Sequence, residues 1–117
     1  MPKKDRFFSD SDDEQTYEPI ELLELIKDND EIGVTECIEN HECDVNEHDL
    51  YDNYPVTKAA SNNNFVILRL LFEAGAKFDV VDGFGKSPLD YAKRNENTDM
   101  EVYIRECIRA QKPLSLN

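Results

Sequence analysis

Apolar residues recur along this chain in short blocks at three- and four-residue spacing, with polar stretches between them. Leu22, Leu23, Leu25 and Ile26 form one block, and Ile67, Leu68, Leu70 and Leu71 form another; this is the period of a helix packed on one face, not of a strand. Between the blocks lie Asp49-Leu50-Tyr51-Asp52-Asn53 and Asp82-Gly83-Phe84-Gly85-Lys86, whose Asp, Asn and Gly residues break the period and predict projecting turns. The longest unbroken apolar run, Phe65-Val66-Ile67-Leu68, ends at Arg69, far short of the roughly 20 residues that cross a bilayer. No membrane-spanning segment is expected.

The blocks repeat. A shift of 33 residues places Asp49 on Asp82, Tyr51 on Phe84, Pro55 on Pro88, Val56 on Leu89 and Ala59 on Ala92, and carries on through Ile67 on Met100, Leu70 on Tyr103 and Leu71 on Ile104. The same shift in the other direction places Leu23 under Val56, Ile26 under Ala59, Val34 under Ile67, Cys37 under Leu70 and Ile38 under Leu71. Three copies of a paired-helix unit are predicted, each burying its apolar face by stacking on the next. Local chemistry supports the helix starts. Ser87 is placed to cap, Pro88 occupies the first helical position, and Asp90 can close a capping box. Thr98 with Glu101 suggests a second box before the last helix.

Residues 82–92, Asp-Gly-Phe-Gly-Lys-Ser-Pro-Leu-Asp-Tyr-Ala, resemble the opening of an ankyrin repeat, in which a glycine turn precedes a Thr-Pro-Leu-His-x-Ala helix start, and Gly75-Ala76-Lys77-Phe78-Asp79 resembles its ending. The middle copy carries Pro55-Val56-Thr57-Lys58-Ala59-Ala60, and the first ends in Cys43-Asp44-Val45-Asn46. The resemblance covers residues 19–110 and implies an all-α solenoid of stacked helix-turn-helix units. Its repeats run at about 18–47, 48–80 and 81–113, between an acidic flexible tail at 1–17 and a short tail at 114–117. The first copy lacks the Thr-Pro-Leu-His signature and the last has Asp90 and Lys93 where an internal repeat favours His and Ala, so both are expected to act as caps. The middle copy has Tyr54 for the capping Thr, Asp52 for a turn glycine and Asn63 for a second glycine. Strain is therefore expected there, since Asp and Asn tolerate left-handed angles less well than Gly.

The resemblance also implies a function: binding of a partner protein on the concave face and turn tips. Carried over by register, the tips supply Leu50, Tyr51, Asn53, Phe84 and Lys86. The helix side supplies Leu25, Lys58 and Tyr91, with Asn62 and Arg94 close by. Tyr51 and Phe84 fall at the same place in successive turns, where exposed aromatics suit interface anchors; the competing expectation is that both rings fold back onto neighbouring turns.

Charge refines the picture. The 117 residues carry 26 Asp and Glu against 13 Lys and Arg, a formal net charge of −13, which repels a nucleic-acid backbone. Residues 19–47 hold ten acids and one base, Lys27, so a partner with a basic surface is expected. An acidic chaperone or nucleic-acid mimic, working mainly by charge, is the alternative. Three cysteines and a charged N-terminus without an apolar leader fit an intracellular protein, cytoplasmic or nuclear, a monomer or a subunit of a larger complex.

Catalytic and cofactor signals are weak. Gly85-Lys86-Ser87 has the ending of a phosphate-binding loop, but Val80 stands where its first glycine belongs. Cys37, His41, Cys43 and His48 match no common zinc spacing, and the two thiols fall at core positions. No nucleophile is set beside a histidine as catalysis would need. No enzyme activity, cofactor or metal is expected. In the tail, Ser9 and Ser11 within Ser9-Asp10-Ser11-Asp12-Asp13-Glu14 resemble sites of acid-directed kinases, and Phe7 and Phe8 are candidates for a docking element.

Overall fold

The computed structural model describes residues 20–112; Phe7, Phe8, the serines Ser9 and Ser11, and both terminal tails lie outside the described residues. Each apolar block forms a helix, and the helices come in pairs: α1 (Glu21–Lys27) with α2 (Glu31–Glu39), α3 (Pro55–Ser61) with α4 (Phe65–Glu73), and α5 (Pro88–Arg94) with α6 (Thr98–Gln111). The described residues hold no strand. The first helices lie side by side, α1 on α3 and α3 on α5, and the second helices form a layer behind them. The fold is an all-α solenoid.

Each second helix opens on a side-chain cap. Asp30, Asn64 and Asn97 accept from the backbone N–H of Gly33, Ile67 and Met100 at 3.0, 3.0 and 3.1 Å. The cap of α6 is thus Asn97, and the Thr98–Glu101 box expected from the sequence does not form. Thr98 is already the first helical residue, and the Asn97 side chain one step earlier accepts from the orphan donor at Met100 instead. At α5 the predicted box is present: Asp90 N–H donates to Ser87 Oγ at 3.2 Å and Ser87 N–H donates to Asp90 Oδ2 at 2.9 Å. In α3, Thr57 substitutes for the missing cap, accepting from Tyr54 N–H at 3.1 Å and donating to Tyr54 C=O at 2.9 Å.

The first copy is in a different register from the one the 33-residue shift suggests. Helices α1, α3 and α5 begin at Glu21, Pro55 and Pro88, steps of 34 and 33 residues. The extra residue lies in the connection, where six residues separate Glu42 from Asp49 but five separate Ala76 from Asp82. Leu22, not Leu23, is therefore the partner of Val56, Val34 corresponds to Leu68, and Cys37 to Leu71. Leu25 matches Ala59 and Ala92, and Gly33 matches Ile67 and Met100. The sizes are exchanged: the first copy pairs a large residue on its first helix with glycine on its second, and the others pair alanine with Ile67 or Met100, all fully buried. A Cβ at Gly33 would stand 2.8 Å from Leu25 Cδ2, so the glycine gives Leu25 the room to pack inward. Side-chain bulk is redistributed between the two helices of the pair.

Asparagines tie the layers together. Asn62 and Asn95 each follow a first helix and donate across to the preceding copy, to Ile26 C=O at 2.8 Å and Ala60 C=O at 3.0 Å. Asn64 and Asn97 reach the preceding copies' Asn29 and Asn63 at 3.0 and 2.9 Å. Asn29, Asn63 and Glu96, just after each first helix, all sit at φ between 56° and 59°, so left-handed backbone is shared by all three copies. At the far end Phe78 is fully buried and meets Phe72 edge-on at 5.7 Å, and Tyr103 of α6 lies 5.1 Å from Phe65 of α4.

Candidate functional site

Two turn tips project from the first-helix layer, and both are built on an aspartate. Asp49 Oδ1 accepts from Tyr51 N–H at 2.8 Å and Asn53 N–H at 2.9 Å. Asp82 Oδ1 accepts from Phe84 N–H at 2.9 Å and Lys86 N–H at 3.0 Å. A short carboxylate that satisfies the turn's own donors is the physical reason Asp starts such turns. Partial burial works to raise the pKa of both carboxyls, but the hydrogen bonds offset it, so each lies below the ordinary carboxylate value.

The tips present their aromatics outward. Phe84 is 82% exposed, Tyr51 69% and Leu50 80%, which excludes the expectation that the two rings fold back as packing. Lys86 is exposed and Asn53 half-buried. Beneath the second tip, between α3 and α5, lies an open groove of about 410 Å³ bordered by Asn53, Lys58, Phe84, Lys86, Tyr91 and Arg94. Tyr91 is buried at its floor, with its hydroxyl donating to Asp82 Oδ2. Burial, that bond and the Asp82 charge push the Tyr91 phenol up to about 12. The Arg94 guanidinium stacks 4.8 Å over the Tyr91 ring, and its Nη2 is 3.5 Å from both the carbonyl and the hydroxyl of Ser61.

Of the ten binding residues expected from sequence, six border this groove, and Leu50 and Tyr51 stand on the neighbouring tip. The other two are corrected. Leu25 packs against the core, because the one-residue shift puts Glu24 in the place taken by Lys58 and Tyr91. Asn62 is engaged with Ile26 C=O between layers and does not line the groove. Sequence reasoning missed Asp82, Thr57 and Ser61, which also line it; Asp82 and its equivalent Asp49 had a signal in the Asp-led turn, whereas Thr57 and Ser61 had none.

Chemically, the groove offers cations, an aromatic face and hydroxyls. Gly85-Lys86-Ser87 is divided between tip and helix cap, with Gly85 at φ 76°. Cys37 and Cys107 are buried; the Cys43 thiol is pushed up to about 12 by burial and by its bond with Cys37. Among the described residues no three His, Cys, Asp or Glu side chains gather as a metal site, and no helix is long and apolar enough to cross a membrane.

Residues 56–102, from α3 into α6, match the family model described as ankyrin repeats (many copies). The chain is 24% identical over 71 residues to a Rickettsia bellii (strain RML369-C) protein described as an ankyrin repeat protein, covering 61% of this chain and 42% of that one. It is 38% identical over 55 residues to the cyclin-dependent kinase inhibitor 2A of Monodelphis domestica, covering 47% of this chain and 32% of the relative. The matches thus span less than half of either relative's length. Helix pairs stepping at 33 and 34 residues, Asp-led tips and these similarities agree: residues 56–102 are ankyrin repeats, set in a solenoid of the same all-α architecture.

Proposed function

We propose that the chain is a non-catalytic interaction module, an adaptor, regulator or assembly subunit, that holds a partner protein on the groove and the turn tips. Ankyrin repeats in general mediate protein–protein interaction. The observation that carries the reading here is the equivalent placement of two exposed aromatics, Tyr51 and Phe84, on neighbouring tips. Large rings held in water at repeated positions serve as interface anchors, and anchors of this kind dominate binding energy. The acidic first repeat adds a long-range field that speeds encounter with a partner carrying a basic patch.

The charge-driven alternative, an acidic chaperone or nucleic-acid mimic, rests on the −9 balance of residues 19–47. Recovery of the bound protein with the full chain and with the Tyr51→Ala/Phe84→Ala variant separates the two. The anchor reading expects the double variant to lose about 2 kcal/mol or more of binding free energy. Unchanged affinity, together with binding that vanishes at moderate salt, would sink it in favour of the mimic.

A further inference from the structure

We infer that the groove between the second and third repeats takes an acidic segment of the partner, whose carboxylates meet Lys58, Lys86 and Arg94 while an apolar side chain lies against Phe84. This inference rests on the protein-binding reading above and adds the sign and chemistry of what enters. It reverses, for this surface, the basic partner that overall charge suggests.

The local charge runs opposite to that of the whole chain. Acids outnumber bases by 26 to 13 over the chain, yet the ionisable groups bordering the groove include three cations, Lys58, Lys86 and Arg94, and one carboxylate, Asp82. Asp82 is only 6% exposed, and its oxygens are occupied by Phe84 N–H, Lys86 N–H and the Tyr91 hydroxyl. Its charge is therefore committed to holding the tip. Among the described residues, Arg105 and Arg109 form ion pairs with Glu101 and Glu106, whereas Lys58, Lys86 and Arg94 form none. Lys58 favours the ionised form of Asp49, and Lys86 that of Asp90; both carboxylates are hydrogen-bonded to backbone at a tip or a helix cap.

Arg94 is the best prepared of the three. Stacking on Tyr91 and the approach to Ser61 fix its plane, and a guanidinium fork so held keeps further N–H donors for a carboxylate. The Phe84 ring beside them favours a segment that mixes acidic and apolar residues. A polyphosphate strand is disfavoured by the −9 block on the first repeat, which repels a dense polyanion more strongly than a few carboxylates.

The test is an NMR titration of the full chain with a blocked twelve-residue peptide of alternating Glu and Tyr, and with the counterpart carrying Lys for Glu. The Glu peptide is expected to shift the backbone amide signals of Phe84 and Lys86, to weaken as salt rises, and to bind about tenfold or more weakly to Lys58→Glu/Arg94→Glu. Lys58→Glu/Lys86→Glu, which leaves the Tyr91 stack untouched, should lose binding as well. Unchanged melting of both variants shows that the fold survives. Absence of shifts would overturn the inference. So would equal shifts with the Lys peptide, or the same shifts from a single-stranded oligonucleotide at lower concentration than from the Glu peptide. If the charge-reversed variants still capture the partner and Tyr51→Ala/Phe84→Ala does not, the charge inference fails while the protein-binding reading stands.

Discussion

The two tips share a design and differ in how firmly it is anchored. In both, an aspartate gathers the N–H groups two and four residues on. At the second tip the remaining carboxylate oxygen takes the hydroxyl of buried Tyr91, so the turn is tied to α5. At the first tip the position equivalent to Tyr91 is Lys58, and Asp49 Oδ2 accepts instead from the amide of Asn53 at 2.9 Å, within the same turn. The second tip has Gly83 and Gly85 where the first has Leu50 and Asp52, and Asp52 holds φ 60° without glycine's freedom. An identical local hydrogen-bond motif thus gives a pinned tip in one copy and a self-contained one in the next, and the difference lies in a single side chain of the following helix.

The largest effect is expected from removing the pin. Asp82→Ala should destabilise by about 2–3 kcal/mol, since it strands the buried Tyr91 hydroxyl and two backbone donors, whereas Asp49→Ala should cost about 1 kcal/mol. Chemical denaturation of both variants measures the gap, and equal losses would abolish the distinction. Gly83→Ala comes next. Its Cβ would clash with the Tyr51 carbonyl oxygen, so the two tips must part, at about 1–3 kcal/mol; Leu50→Ala at the equivalent exposed place should change stability by less than about 0.5 kcal/mol.

Titration sharpens the comparison further. Folded Asp49, Asp82 and Asp90 lie below their ordinary values, so the stability they contribute is complete above the unfolded value near 4 and drains away as pH falls through the lower folded values. Tyr91 runs the other way: raised to about 12, it contributes fully below about pH 10, and that contribution is lost as pH rises through the folded value. Tyr91→Phe should reduce the alkaline loss, to which Tyr103 and Cys43, also raised to about 12, contribute as well, and Asp82→Asn should reduce the acid one, each followed by melting temperature against pH. Asp52→Gly is expected to act the other way and raise stability by about 0.5 kcal/mol by relieving left-handed backbone.

Much of this architecture was legible in the sequence, for identifiable reasons. Pro55 and Pro88 fix the register of the second and third copies, and Ser87 with Asp90 announces a helix start through chemistry that acts within four residues. The first copy has no such marker. Leu22, Leu23, Leu25 and Ile26 satisfy a helical face in either of two registers, and the extra residue between Glu42 and Asp49 leaves the helical period untouched. Only the Leu25–Gly33 exchange of volume settles it, and that is a contact between two helices. Asn62 was misplaced for a related reason: its amide serves a carbonyl 36 residues away. The recurrence of Asn62 as Asn95, and of Asn64 as Asn97, was the available signal. The sign of the groove was hidden because Lys58, Lys86 and Arg94 are scattered through an acidic sequence and converge only when α3 and α5 stack.

The most direct measurement places a photo-crosslinking phenylalanine analogue at Phe84, 82% exposed beside the groove, and separately at Ile32, 74% exposed on α2 away from it. Both sites are apolar, exposed and free to react. The account predicts one defined protein adduct from position 84 and none of that mass from position 32. Adducts of equal yield from both, or from position 32 alone, would contradict it.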